Sequence, residues 1–217
     1  SSNAIVAAGK GAMHHQRFDA ARRAKRGLST HKTTDVMRER DGALVNDFKT
    51  DQDYHRVIQS CVRNFAEVLV PGRAYYLWGG YVSCALYPSL LAECSLHFSQ
   101  SIIWVKEYPV LIRKDFLGNH EWCFYGWREG AAHYFDPDIK NATDVWSVKK
   151  ISPQKMIHLT EKPVELAVRA MKYSSRPGEI VLDLFGGSGS TMIAAEQMGR
   201  KARLMEIDPA YCDVIIE

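Results

Sequence analysis

The residues best suited to chemistry form one compact group, Asp183-Leu184-Phe185-Gly186-Gly187-Ser188-Gly189-Ser190-Thr191, set between a β-prone run and a helical one. Glu206 closes the next β-prone run. Glycines let a ligand approach the backbone closely. A carboxylate at the tip of the following strand can accept from both hydroxyls of a ribose, and an open α/β sheet binds its ligand in that crevice beyond the carboxyl ends of the strands. Two nucleoside-bearing cofactors suit such a site. A dinucleotide requires G-x-G-x-x-G, yet counting from Gly187 and Gly189 the third position is Met192. Asp183 would also repel a pyrophosphate, whereas it suits the ammonium and sulfonium side of S-adenosylmethionine. The expected cofactor is therefore S-adenosylmethionine, with a nicotinamide-dependent dehydrogenase as the rival. A glycine turn that merely joins strand to helix is the plainer alternative, which the matched Glu206 disfavours.

The elements needed to hold this group are legible around it. A helix is expected from Pro163 to about Tyr173, then a turn at Arg176-Pro177-Gly178 and a strand from Glu179 to Leu184. After the glycine turn come a helix from about Ser190 to Met198 and a strand from Ala202 to Ile207, which completes a βαβ unit. Asp208-Pro209 has the form of an N-cap followed by proline at the first helical position. Upstream, apolar residues at helical spacing (Tyr54, Val57, Ile58, Cys61, Val62, Phe65) predict a helix from Asp51 to Val70, with Pro71-Gly72 beyond it. Strands are expected at Arg73–Trp78, Ser101–Val105 and Glu121–Trp127, with a helical stretch around Ser83–Cys94. Such alternation argues for a doubly wound α/β fold with a mostly parallel sheet joined by crossover helices.

Several segments together resemble the DNA amino-methyltransferases (adenine-N6 and cytosine-N4) in their β-type, permuted motif order. Asp183–Thr191 is similar to the family's first cofactor motif and Met205-Glu206-Ile207-Asp208-Pro209-Ala210-Tyr211 to its second. His158-Leu159-Thr160-Glu161-Lys162-Pro163 is similar to the H-P-T-Q-K-P segment that precedes the glycine motif, with Leu159 and Glu161 departing from the commonest form. Ile102-Ile103-Trp104-Val105-Lys106, Arg113-Lys114-Asp115-Phe116, His120-Glu121 and Tyr125-Gly126-Trp127 follow the same order, so the likeness covers roughly Val45 to Glu217. It implies a Rossmann-like methyltransferase fold and a cofactor site made of Asp183, Leu184, Phe185, Gly186, Gly187, Ser188, Gly189, Glu206 and Asp208, with Thr160, Lys162 and Pro163 at the methionine end. It implies methyl transfer to a base flipped out of duplex DNA, adenine N6 ahead of cytosine N4, within a restriction-modification setting.

One part of the chemistry is missing. An exocyclic amino group is a poor nucleophile because its lone pair is delocalised into the ring. In the family an Asp/Asn-Pro-Pro-Tyr/Phe/Trp motif supplies acceptors for its protons and an aromatic ring that stacks on the flipped base. No Asp-Pro-Pro occurs here, so the catalytic residues are unassigned. Asp208-Pro209-Ala210-Tyr211 directly follows Glu206 and cannot also face the base, and Asp136-Pro137-Asp138 reads as a turn. Either residues outside this sequence supply the motif, or the chain is a cofactor- or DNA-binding relative without catalysis. His120-Glu121 reads as a strand-edge ion pair sooner than a target-pocket pair, and Phe116, Tyr125 and Trp127 as core sooner than base-stacking rings.

Composition agrees with these expectations. At 46% hydrophobic residues the chain can bury a core, and its five cysteines include no C-x-x-C pair. His14-His15 has no partner at metal-ligand spacing, so no metal is expected. The net charge of +3 is uneven: Arg17, Arg22, Arg23, Lys25, Arg26, Lys32, Arg38 and Arg40 crowd one segment. The first five are the candidate DNA-phosphate contacts, a solvated basic helix or loop being the alternative. Residues 1–45 read as a tag remnant (Ser2-Asn3-Ala4) and a basic loop or helical segment, and 46–217 as the methyltransferase domain, within which 128–157 is irregular and a candidate target-recognition region. Duplex DNA is the expected partner, a second copy of the chain a candidate one. No membrane segment or secretion signal is read, so a cytoplasmic protein of bacterial or phage type is expected.

Overall fold

The structure, a computed structural model, describes residues 2–8, 51–80, 84–110, 115–151 and 161–216. A 7-stranded sheet runs through them in the order β5-β3-β4-β2-β1-β6-β7. Its strands are β1 (Ser2–Ala8), β2 (Leu69–Gly79), β3 (Leu96–Val110), β4 (Gly118–Arg128), β5 (Val145–Ser147), β6 (Ile180–Asp183) and β7 (Lys201–Leu204). Helices α1 (Asp51–Val68) and α2 (Leu86–Glu93) cover one face; α3 (Val164–Ser174) and α4 (Ser190–Gln197) cover the other. A last helix, α5 (Pro209–Ile216), follows β7.

The two longest helices, α1 and α3, form because their apolar spacing matches the face each buries. In α1, Ile58, Val62, Phe65 and Ala66 fall on one stripe and are all buried. In α3 the buried set is Leu166, Ala167, Ala170, Met171 and Ser174. Burial of a side chain such as Met171 contributes about 1.5–3 kcal/mol. β2 is a central strand and reads as a continuous apolar run from Ala74 to Trp78. Its Ala74, Tyr76 and Trp78 pack toward α3, while Tyr75 and Leu77 pack toward α1 and α2. Tyr76 Oη and Ser174 Oγ share a buried hydrogen bond of 2.7 Å that fixes α3 on the sheet.

Three strands differ from the sequence reading. β4 is antiparallel to both β2 and β3, because a short connection turns the chain directly back from β3 where a parallel partner would need a crossover helix. β1 was not expected at all. Ser2–Ala4, set aside as a tag scar, form its first half, and it pairs in parallel with β2 on one side and β6 on the other. β5 lies within the segment read as irregular and is only 3 residues long. Otherwise the ladder is parallel: β1 with β2 and β6, β6 with β7, β3 with β5.

Candidate functional site

β6 and β7 run side by side and deliver the glycine turn and Glu206 to the same edge of the sheet. The ladder continues past the strands: the Met205 amide donates to the Asp183 carbonyl at 2.9 Å, and the Gly186 amide donates to the Met205 carbonyl at 2.8 Å. The turn closes through positive backbone angles at Gly187 (φ 55°) and Gly189 (φ 84°), the second of which starts α4. A Cβ at Gly186 would come within 3.2 Å of Leu204 and of Ile215, so the turn is pressed between β7 and α5.

Asp183 ends β6 and is almost fully buried, 2% exposed. Its Oδ1 accepts from the Phe185 amide at 2.9 Å and its Oδ2 from the Thr191 hydroxyl at 2.6 Å. One carboxylate thus clamps both ends of the turn. Burial pushes its pKa up to about 6, against the two hydrogen bonds and the Lys162 ammonium, which favour the charged form. A buried carboxylate held so high gains strongly from a cation set beside it.

Glu206 is half-buried and reaches back into the turn. Its Oε2 accepts from the Gly187 amide at 2.8 Å, and its Oε1 from the amides of Ile207 at 2.9 Å and Asp208 at 3.0 Å. A carboxylate has about four acceptor positions, so the remaining one on Oε2 stays open for a hydroxyl. Asp208 has a helix-capping geometry: its Oδ1 accepts from the Ala210 amide at 3.0 Å, and its carbonyl accepts from Tyr211 and Cys212. Leu184 and Phe185 lean on the core beneath α1 and α2, and Ser188 sits half-buried at the tip of the turn. Met192 is 41% exposed, so the place of a dinucleotide motif's third glycine faces outward here.

Lys162 and Pro163 lead into α3 on the same side. Lys162 Nζ donates to Glu121 Oε2 at 3.1 Å and lies 5.8 Å from the centre of the Trp78 ring. Lys106 Nζ sits 2.7 Å from the other oxygen, Glu121 Oε1. Burial alone would raise the pKa of Glu121, but the two lysines overcome it and hold the carboxyl down at about 2. Glu121 therefore pairs with Lys106 and Lys162 and not with His120, whose side chain has a marginal 3.5 Å contact with Asn119. Tyr125 and Trp127 belong to the packed aromatic face as expected, whereas Phe116, expected in the core, is 89% exposed because it lies before β4 and not in it. Sequence reading missed Lys106 as a site-edge residue. Its signal was the alternation Ile102, Trp104, Lys106, which sends a lysine inward with two apolar neighbours.

Thr160 and the basic residues Arg17, Arg22, Arg23, Lys25 and Arg26 lie outside the described residues, as do His14-His15, His158-Leu159 and Arg113-Lys114. Among the described residues no group of three or more His, Cys, Asp or Glu side chains could hold a metal ion, and no helix is long and apolar enough to cross a membrane. A recess of about 310 Å³ exists at the opposite edge of the sheet, between Gly72, Arg73, Tyr134 and Arg176, away from the glycine turn.

DNA methyltransferases are among the known proteins similar to this chain. The chain is 25% identical over 177 residues, 75% of its own length, to the type II methyltransferase M2.DpnII of Streptococcus pneumoniae, and spans 66% of that enzyme's length. The solved M1.HpyAVI–SAM complex superposes with a TM-score of 0.73 at 17% identity, covering 99% of this chain and 87% of the other. The cytosine-N4-specific PvuII DNA methyltransferase gives 0.70 at 12% identity, covering 100% and 78%. Both structures share the Rossmann-like methyltransferase fold. The DNA methylase family model of the N6/N4 type matches residues 34–217, and the chain belongs to that family.

Proposed function

We propose that this chain is the donor-binding body of an S-adenosylmethionine-dependent enzyme that methylates an exocyclic amino group of a base in duplex DNA. The observation that carries the reading is the buried Asp183 carboxylate, which clamps the glycine turn and keeps a raised pKa of about 6 beside the crevice. S-adenosylmethionine supplies an electrophilic methyl group on a cationic sulfonium. Asp183 would offset that cation and the neighbouring ammonium, Glu206 would take a ribose hydroxyl on its open acceptor position, and the glycines would let the nucleoside approach the backbone. Lys162 and Pro163 would border the methionine end, with Thr160 beside them. Arg17, Arg22, Arg23, Lys25 and Arg26 would contact DNA phosphates.

The preferred acceptor is adenine N6, with cytosine N4 as the alternative. A second reading is favoured by one observation: no Asp-Pro-Pro occurs in the sequence, so the residues that would accept the amino protons are not in view. In that reading the chain binds donor and DNA without transfer. Incubation of the full chain with tritiated S-adenosylmethionine and unmethylated duplex DNA separates the two. Label in DNA, recovered as N6-methyladenine or N4-methylcytosine after nuclease digestion, supports the enzyme and names its base. Calorimetric donor binding without label supports the second reading, and absence of donor binding overturns both.

A further inference from the structure

The sheet face beneath α3 changes character as it nears the glycine-turn edge. Trp104, Trp146 and Val148 are buried on it, and two residues beyond Trp104 and Val148 come Lys106 and Lys150. Trp104 is directly opposite Glu121 on β4, and two residues on along β3 comes Lys106, only 8% exposed. β5 runs parallel to β3 and stays beside it past its last strand residue, the Val148 amide donating to the Val105 carbonyl at 3.3 Å. Alternation then sends Lys149 to the far face, where it pairs with Glu107 at 3.2 Å, and Lys150 to the same face as Lys106. Lys162 arrives from the segment before α3.

The charges gathered here do not balance. Glu121 gives one oxygen to Lys106 and the other to Lys162. Lys162 also faces Asp183, whose ionised form it favours, so its charge is shared between two carboxylates. Among the described residues Lys106 has its half of Glu121 as its one carboxylate, and Lys150 is pressed by burial and by Lys106 toward giving up its proton, with Glu121 opposing them. Two ammonium groups placed together in partly dry surroundings repel each other, and an oxyanion between them removes the penalty.

We propose that Lys150, with Lys106 beneath it, is a phosphate-binding site for the DNA strand whose base enters the crevice; this rests on the DNA-methyltransferase reading above. Lys150 is half-exposed and makes the contact; Lys106 is buried against Trp104, its ammonium 5.1 Å from the ring centre, and supplies field. The oxyanion could come from a phosphodiester or from the donor's own carboxylate, and the test distinguishes them.

The full chain and its Lys150→Gln, Lys150→Glu and Lys150→Arg variants are titrated with fluorescent duplex DNA across a salt series, and with S-adenosylmethionine by calorimetry. Lys150→Gln should weaken DNA binding and reduce the slope of log K against log salt by about one. Lys150→Glu should weaken it further, Lys150→Arg should restore it, and donor affinity should stay within twofold throughout. An unchanged salt slope in Lys150→Gln overturns the proposal while leaving the parent reading intact. A loss of donor affinity with DNA binding unchanged assigns the site to the carboxylate and overturns it equally. Failure of the unaltered chain to bind DNA overturns the parent reading and this one with it.

Discussion

Glu206 Oε2 accepts the Gly187 amide hydrogen at 2.8 Å, so the carboxylate beyond β7 is fastened to the turn beyond β6. The bond presets the distance between the two elements that would grip a nucleoside. Glu206→Gln keeps the shape but removes the charge and one acceptor oxygen. Hydrogen bonds to charged groups are worth about 1.5–3 kcal/mol. Donor affinity measured by calorimetry should fall about 10- to 100-fold, and the thermal midpoint should fall as well, because the amide nitrogen would face a backbone N–H from which it cannot accept.

Asp183 should make both stability and donor binding depend on pH, with opposite signs. Its folded pKa of about 6 lies above its ordinary value of 3.8, so the folded chain holds the proton more tightly than the unfolded one. Its contribution to stability is therefore fully present below about pH 4 and is lost as pH rises to 6. Asp183→Asn keeps an acceptor for the Phe185 amide and should flatten this dependence, with a gain of up to about 3 kcal/mol above pH 6 from the shift. Donor affinity of the unaltered chain should instead rise with pH and level off above 6, because only the ionised carboxylate offsets a cation. Urea denaturation and calorimetry from pH 4 to 8 measure the two trends.

Glu121 should behave in the opposite way. Its folded pKa of about 2 lies below its ordinary value of 4.5, so its stabilisation is present above 4.5 and lost as pH falls toward 2. Glu121→Gln leaves Lys106 and Lys162 without their shared carboxylate. The loss should be less than the about 3–5 kcal/mol of breaking a fully buried pair, since the side chain is 33% exposed and partly screened. Denaturation at pH 7 and pH 3 should show a large difference between variant and parent at the first and a reduced one at the second.

Gly126 should tolerate no side chain. A Cβ there would stand 1.8 Å from the His97 carbonyl oxygen and 2.6 Å from Tyr75 Oη, in the middle of the β3–β4–β2 ladder. Gly126→Ala should cost about 4 kcal/mol or more, or leave the chain insoluble. Gly118→Ala, with open space around the added carbon, is the control and should change stability by less than about 1 kcal/mol. Circular dichroism with guanidinium titration reports both.

Legibility followed the physics of each element. The glycine turn, Glu206 and the Asp208 cap were readable because their chemistry is local: one or two residues set the backbone, and neighbours in sequence complete it. The long amphipathic helices α1 and α3 were readable from their period. β4's direction was not, because alternation looks the same in a parallel and an antiparallel strand; only the short connection distinguishes them. β1 was not read because Ser2–Ala8 is short and small-residued, and its evidence lies in partners far along the chain. The Lys106–Glu121–Lys162 cluster is likewise a product of three separated segments. A count of charges cannot bring it together.

The position of β1 also sets an order of assembly. In the sheet, β2 and β6 are not paired with each other; β1, which lies upstream of both in sequence, joins them. During synthesis that strand is made before both of its partners, and its β6 edge waits until residue 183 has been added. A waiting edge is a template for pairing with other chains, and such distant strand pairing is slow to form. Refolding from denaturant should therefore be limited by docking of β1 against β6, and aggregation during expression should begin at this seam.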